Sequence, residues 1–132
     1  MQRIYLPIKH VFRAIKHSYA GLRAAYETEV AFRVELFLTL FIVPLAFFVG
    51  QNLVEYIILI GSWFFVLLIE LVNTAIETII NRIGREHHID SGKAKDIGSA
   101  LVFISAIQAV VFWLIILIKT LTTGASSCPC LH

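Results

Sequence analysis

Charge is what this sequence has least of. Asp, Glu, Lys and Arg make up 15% of the chain, against roughly 25% in an average soluble domain, and two long stretches hold almost none. Apolar residues reach 58%, where ~45–50% is usual. Such a balance argues against a water-soluble globule and for a chain that sits in a bilayer. The nucleotide-binding fingerprints are missing as well: no GxxxxGK followed by Ser or Thr, no GxGxxG after a strand, no HRD or DFG. Cysteine is confined to Cys128 and Cys130, a spacing that suits neither a zinc motif nor an unstrained disulfide. There is no internal repeat, and the charged, amphipathic start does not read as a secretory signal. At 132 residues the chain has the length of one domain.

What is present is three apolar segments. The first, Leu36 to Val49, is short for a span, but helix extends it back through Val30, Ala31, Phe32 and Val34. Pro44 within it predicts a kink rather than a break. The second starts at Leu53 and is interrupted only by Glu55. The third, Ile97 to Ile118, carries no formal charge, and ~20 apolar residues cross a ~30 Å core. Gly50, Gln51 and Asn52 form a tight turn between the first two. A polar loop from about Arg82 to Asp96, with Gly84 and Gly92 as breakers, is expected before the third.

Ahead of the first span, Ile8, Val11, Phe12, Ile15, Tyr19, Leu22 and Tyr26 recur every three or four residues. Lys9, His10, Arg13, Lys16, His17 and Arg23 fall between them. This is an amphipathic helix with a basic face, suited to the headgroup layer; packing of the same stripe on the protein's own helices is the alternative. Ten of the eleven Lys and Arg residues lie before the first span or in the second loop, and only Lys119 lies opposite. The positive-inside rule then puts the N-terminus in the cytoplasm and the C-terminus outside. The expected fold is an all-α membrane protein with an interfacial helix and three transmembrane helices. It forms one domain over 1–121: helix at about 5–28, spans at about 30–49, 53–83 and 96–120, with a flexible polar tail at 122–132.

The second span ends in a polar face. Glu70 and Glu77 are separated by almost two full helical turns, and Asn73 and Thr74 fall on the same side. Counting ~1.5 Å per residue from Leu53, Glu70 lies just inside the cytoplasmic edge of the hydrocarbon, with Glu77 ~10 Å further on. A carboxylate held there costs at least ~2.5–3.5 kcal/mol on the insertion scale and by default marks a functional site. A lipid hydroxyl floats at this depth, where Glu70 could accept its proton as general base. Glu77 could hold Mg²⁺ together with phosphate oxygens. Glu29 could be a second metal ligand, and Lys95, His87 and His88 could meet phosphates. Each has a plainer reading: Glu29 with Arg33 is an ordinary i,i+4 pair, Asp90 or Asp96 caps the third span, and His87 and His88 are solvated.

The stretches Gly21-Leu22-Arg23-Ala24-Ala25, Glu29, Ala31-Phe32-Arg33-Val34-Glu35, Glu70-Leu71-Val72-Asn73-Thr74-Ala75-Ile76-Glu77, Arg82-Ile83-Gly84 and Ser91-Gly92-Lys93-Ala94-Lys95-Asp96-Ile97-Gly98-Ser99-Ala100 resemble the prokaryotic diacylglycerol kinase family. The order and spacing hold to about Lys119. The resemblance implies an inner-membrane homotrimer with composite sites between subunits, using MgATP to convert diacylglycerol to phosphatidic acid and ADP. It implies Glu70 as catalytic base supported by Asn73, and Glu29 and Glu77 as ligands of the divalent metal with ATP. Glu86, His87, His88, Lys95 and Asp96 would surround the nucleotide. Arg23, Ala24, Ala25, Ala31, Phe32, Arg33, Glu35, Glu70, Ser99 and Trp113 would line the lipid. The chain departs from the family where His10 and His17 stand in place of arginine and tyrosine, so the roles of His10, Arg13 and His17 stay open. The Cys-Pro-Cys tail has no counterpart.

An undecaprenol kinase would share this fold and chemistry, but the GLRAA and AFRVE stretches look more like the diacylglycerol branch. An ion carrier or assembly scaffold is a more distant reading. Carriers place ionisable groups along a path through the bilayer, whereas here they gather at one rim.

Overall fold

The computed structural model describes the backbone of residues 2–83 and 89–126, and side chains over 10–82 and 89–123. Four helices follow in order: α1 (Gln2–Thr28), α2 (Val30–Val49), α3 (Leu53–Ile83) and α4 (Ile89–Ser126). There is no strand among the described residues. Three helices are long and apolar enough to cross a membrane, over Val30–Val49, Leu53–Arg82 and Ile89–Thr123. At ~1.5 Å per residue α3 is ~46 Å long, so it outruns a ~30 Å hydrocarbon core.

A single non-helical residue separates α1 from α2. Glu29 takes an extended conformation (φ −106°, ψ 119°), and its side chain makes no capping hydrogen bond. The amphipathic stripe of α1 is continuous, yet Val11, Phe12, Ile15, Tyr19, Leu22 and Tyr26 are all exposed. Among the described side chains of α1 only Ala25 is buried, where it meets Phe32 and Leu67, with Trp63 and Leu71 packed beside them. The helix α2 runs unbroken through Pro44.

The turn into α3 is tight for a steric reason. A Cβ at Gly50 would lie 2.7 Å from the Tyr56 ring, so only glycine lets the chain pass that side chain. Asn52 then caps α3, its Oδ1 accepting the Glu55 backbone N–H at 3.1 Å. The Glu55 carboxylate reaches back to accept from the Gln51 N–H at 2.8 Å and from the Asn52 amide. This variant of the capping box satisfies donors that helix geometry leaves orphaned.

The helix α3 packs chiefly on α4 and next on α2. Toward the α2–α3 turn Ala46, Leu59 and Ile116 are buried together, flanked by Trp113. The Trp113 indole N–H donates to the Leu59 carbonyl at 3.2 Å, and the Trp63 indole N–H donates to Thr39 Oγ1 at 2.8 Å. At one end Lys119 pairs with Glu55, and the Thr120 hydroxyl donates to the Val49 carbonyl at 2.8 Å. At the other end Lys95 Nζ donates to Asn81 Oδ1 at 2.9 Å. These contacts make α3 and α4 antiparallel.

Two boundaries differ from the sequence expectation. The segment 89–96, read as loop, is the first two turns of α4. Gly92 is tolerated there because it is exposed, and Asp90 lies 3.9 Å from Lys93 one turn on. The tail from Thr122 continues as helix to Ser126, with the Thr122 and Thr123 hydroxyls both donating to the Lys119 carbonyl. The cysteines lie outside the described residues.

Candidate functional site

The amphipathic end of α3 carries the site. Each turn there places one polar group on the same face: Glu70, then Asn73 and Thr74, then Glu77. Glu70 is only 4% exposed, a placement a lone carboxylate does not adopt without a role. Glu29, at the α1–α2 break, and Glu77 both lie within electrostatic reach of Glu70, and Glu70 lies within reach of Glu35 on the neighbouring α2. The fold thus brings four carboxylates from two helices and a joint to one rim. None of them is near the other end, where Glu55 sits.

Asn73 does not hydrogen-bond to Glu70. Its Nδ2 donates to Glu77 Oε1 at 3.2 Å, linking successive turns. Its own Oδ1 is buried without a hydrogen-bond partner, as are Glu35 Oε2 and Thr74 Oγ1. Unpaired buried polar atoms are costly, and Asn73 and Thr74 both lie on the turn of α3 that follows Glu70. Among the described residues no three carboxylate, imidazole or thiol groups converge tightly enough to hold a metal by themselves. Mg²⁺ does not require that, since it commonly takes one or two carboxylates and completes its shell with water and phosphate oxygens. Glu29 and Glu77, hard oxygen donors flanking Glu70, fit that pattern.

Beneath the rim lies an apolar cavity of about 480 Å³ between α2, α3 and α4. Glu35 stands in its wall, and Trp63, Ala106, Ala109, Trp113 and Leu117 line its length. From Ala106 to Leu117 is ~16 Å along the helix. Trp113 therefore belongs to the far part of this cavity, away from the carboxylates. A second groove of about 710 Å³ runs between α1 and α3, lined by small residues that include Gly21, Ala24, Ala25, Thr74 and Ala75.

The other candidates scatter more widely. Lys95 is held on Asn81, and Asp96 and Ser99 are exposed nearby on α4. Arg23 pairs with Glu27 at 2.7 Å. Ala31 and Arg33 are exposed while Phe32 is buried in the core. His10, Arg13 and His17 are exposed along α1. Glu86, His87 and His88 lie outside the described residues. Reading the sequence missed the Trp63–Thr39 hydrogen bond, for which it holds no signal. It also missed the Glu55–Lys119 pair, whose signal was present as opposite charges at matching ends of successive spans.

The fold and the rim define a class: a small three-span membrane protein with a one-sided acidic site opening beside an apolar slot. Comparison with known proteins narrows this. The family of prokaryotic diacylglycerol kinases matches residues 16–117. The diacylglycerol kinase of Haemophilus influenzae is 43% identical over 106 residues, covering 80% of this chain and 90% of its own. That of Escherichia coli K12 is 42% identical over 107 residues, covering 81% and 88%. That of Pseudomonas aeruginosa is 35% identical over 111 residues, covering 84% and 90%. The chain belongs to the prokaryotic diacylglycerol kinase family, and it is a membrane kinase.

Proposed function

We propose that the protein transfers the γ-phosphoryl group of MgATP to the free hydroxyl of a diacylglycerol, giving phosphatidic acid and ADP. The observation that carries this reading is the setting of Glu70: a buried carboxylate on a spanning helix, at one rim, close to an apolar slot and to other carboxylates. The names of the relatives supply the acceptor lipid.

Glu70 takes the proton of the lipid hydroxyl as its oxygen attacks the γ-phosphorus. The bond from that phosphorus to the β–γ bridging oxygen breaks, ADP leaves with the electron pair, and the proton stays on Glu70. Asn73, bonded to Glu77, keeps the second carboxylate turned along the same face. Four carboxylates repel a triphosphate, so this rim needs a divalent cation to accept one. Glu29 and Glu77 would hold Mg²⁺, which when bound neutralises phosphate charge and orients the nucleotide. Lys95 and Asp96, with Glu86, His87 and His88, face the nucleotide in this reading.

The cavity beside Glu35 takes acyl chain, with Trp63 and Trp113 as its rigid walls. Arg23, Arg33 and Ser99, exposed near the rim, contact the headgroup. The exposed apolar face of α1 rests in the cytoplasmic headgroup layer of the inner membrane, its basic residues toward lipid phosphates. The basic residues set the orientation, N-terminus in the cytoplasm and C-terminus outside. The protein works as a homotrimer with sites shared between copies; the unpaired atoms of Glu35 and Thr74 support a site completed by a neighbour or by substrate.

Transfer of labelled γ-phosphate from ATP by the purified protein in mixed micelles tests the assignment. Diacylglycerol is expected to be labelled in preference to undecaprenol. Preference for undecaprenol would replace the acceptor, and label on neither would overturn the kinase reading of this rim.

A further inference from the structure

Gly98 lies buried in α4, in a helix where glycine is a poor choice. A Cβ at this position would lie 2.3 Å from Asn73 Oδ1 and 3.4 Å from its Cγ. By contrast, a Cβ at Gly21, Gly61 or Gly92 would meet nothing within 4 Å. The hydrogen that glycine carries in place of a side chain therefore points at the carboxamide of Asn73. That oxygen has no hydrogen-bond partner, while the nitrogen of the same planar group donates to Glu77 Oε1 at 3.2 Å.

We propose that Gly98 is a positioning residue: by leaving room for the Asn73 oxygen, it aims the Asn73 amide at Glu77. This rests on the assignment of Asn73 and Glu77 to the kinase site. A carboxamide is rigid, so fixing its oxygen fixes the direction of its nitrogen. A methyl group at 98 forces the Asn73 side chain to rotate, and the amide then swings off the Glu77 carboxylate. The alternative relief, separation of the two helices, is opposed by the packing of α3 on α4 and by the 2.9 Å hydrogen bond from Lys95, one turn from Gly98, to Asn81, two turns from Asn73. Asn73 has to yield. Helix α4 thus acts on the reaction through a position that has no side chain.

A double-mutant cycle tests this. Gly98→Ala is expected to lower kcat/KM for MgATP by at least about tenfold and to raise the Mg²⁺ concentration for half activity, with KM for diacylglycerol unchanged. In an Asn73→Ala background, where the carboxamide is gone, the same change is expected to cost less than about twofold of the residual activity. Equal losses in both backgrounds, or full activity of Gly98→Ala alone, would overturn the proposal while leaving the site assignment intact. Wild-type activity in Asn73→Ala would overturn both. Should Gly98→Ala fail to fold, folding regained in the double variant supports the contact, and failure in both refutes it.

Discussion

Lys119, the single Lys or Arg near the far end of the spans, is paired with Glu55, although 64 residues separate them in the chain. Glu55 is 6% exposed and also accepts two hydrogen bonds from the α2–α3 turn. The carboxylate joins the start of α3 to α4, and Thr120, next to Lys119, bonds the last carbonyl of α2, so the three helix ends are tied together. Removing either charge leaves the other with a lost partner at a membrane boundary. Lys119→Met is expected to lower the unfolding midpoint in detergent, and the exchange of both residues (Glu55→Lys with Lys119→Glu) to recover part of it. Since the pair lies at the opposite end from Glu70, the activity per folded molecule should hold. An unchanged midpoint in Lys119→Met refutes the tie.

Glu70→Gln removes the proposed proton acceptor but keeps the shape of the side chain. Turnover is expected to fall by about 10²–10⁴-fold, the usual worth of general-base catalysis, with assembly unchanged by size-exclusion chromatography. Wild-type turnover in this variant would end the general-base role.

Glu77→Gln should act on the metal. The Mg²⁺ concentration for half activity is expected to rise by at least about tenfold, since loss of a ligand costs no less than the ~10–100-fold lost with a group that merely orients one. KM for diacylglycerol should stay where it was. A Mg²⁺ titration superimposable on wild type would remove Glu77 from the ligand set.

The cavity offers a test by filling. Ala106→Phe projects bulk into the slot between α2 and α4, and is expected to raise KM for long-chain diacylglycerols more than for short-chain ones, leaving KM for ATP alone. Equal effects on both lipids would mean that acyl chains lie elsewhere.

At the turn, Gly50→Ala drives a methyl group into the Tyr56 ring. A cost of ~1–3 kcal/mol, that of overpacking, is expected in denaturant unfolding. Shortening the ring side chain in Gly50→Ala with Tyr56→Ser should restore much of it.

Most of the helix layout was legible because apolar runs of membrane length admit few readings. The break at Glu29 and the turn at Gly50 fell where composition changes. The start of α4 was not legible: Ser91, Gly92 and Lys93 look like loop, and only their continuity with the long apolar helix makes them helical. At the site, periodicity along one helix was enough to align Glu70, Asn73 and Glu77. That the Asn73 oxygen meets Gly98 could not be read from α3, because contacts between helices leave no periodic trace. Nor could periodicity foresee that Trp113 stands so far from the carboxylates, since depth on α4 depends on its register against α3.

The one-residue joint at Glu29 carries a mechanical consequence. With helix on both sides, any tilt of α1 against α2 must be taken up by the few dihedral angles around that residue, and its own carboxylate turns with them. Anchoring of the surface helix and placement of a site acid are thus one adjustment. A change in bilayer thickness or headgroup crowding that rocks α1 would turn the carboxylate proposed to hold the metal.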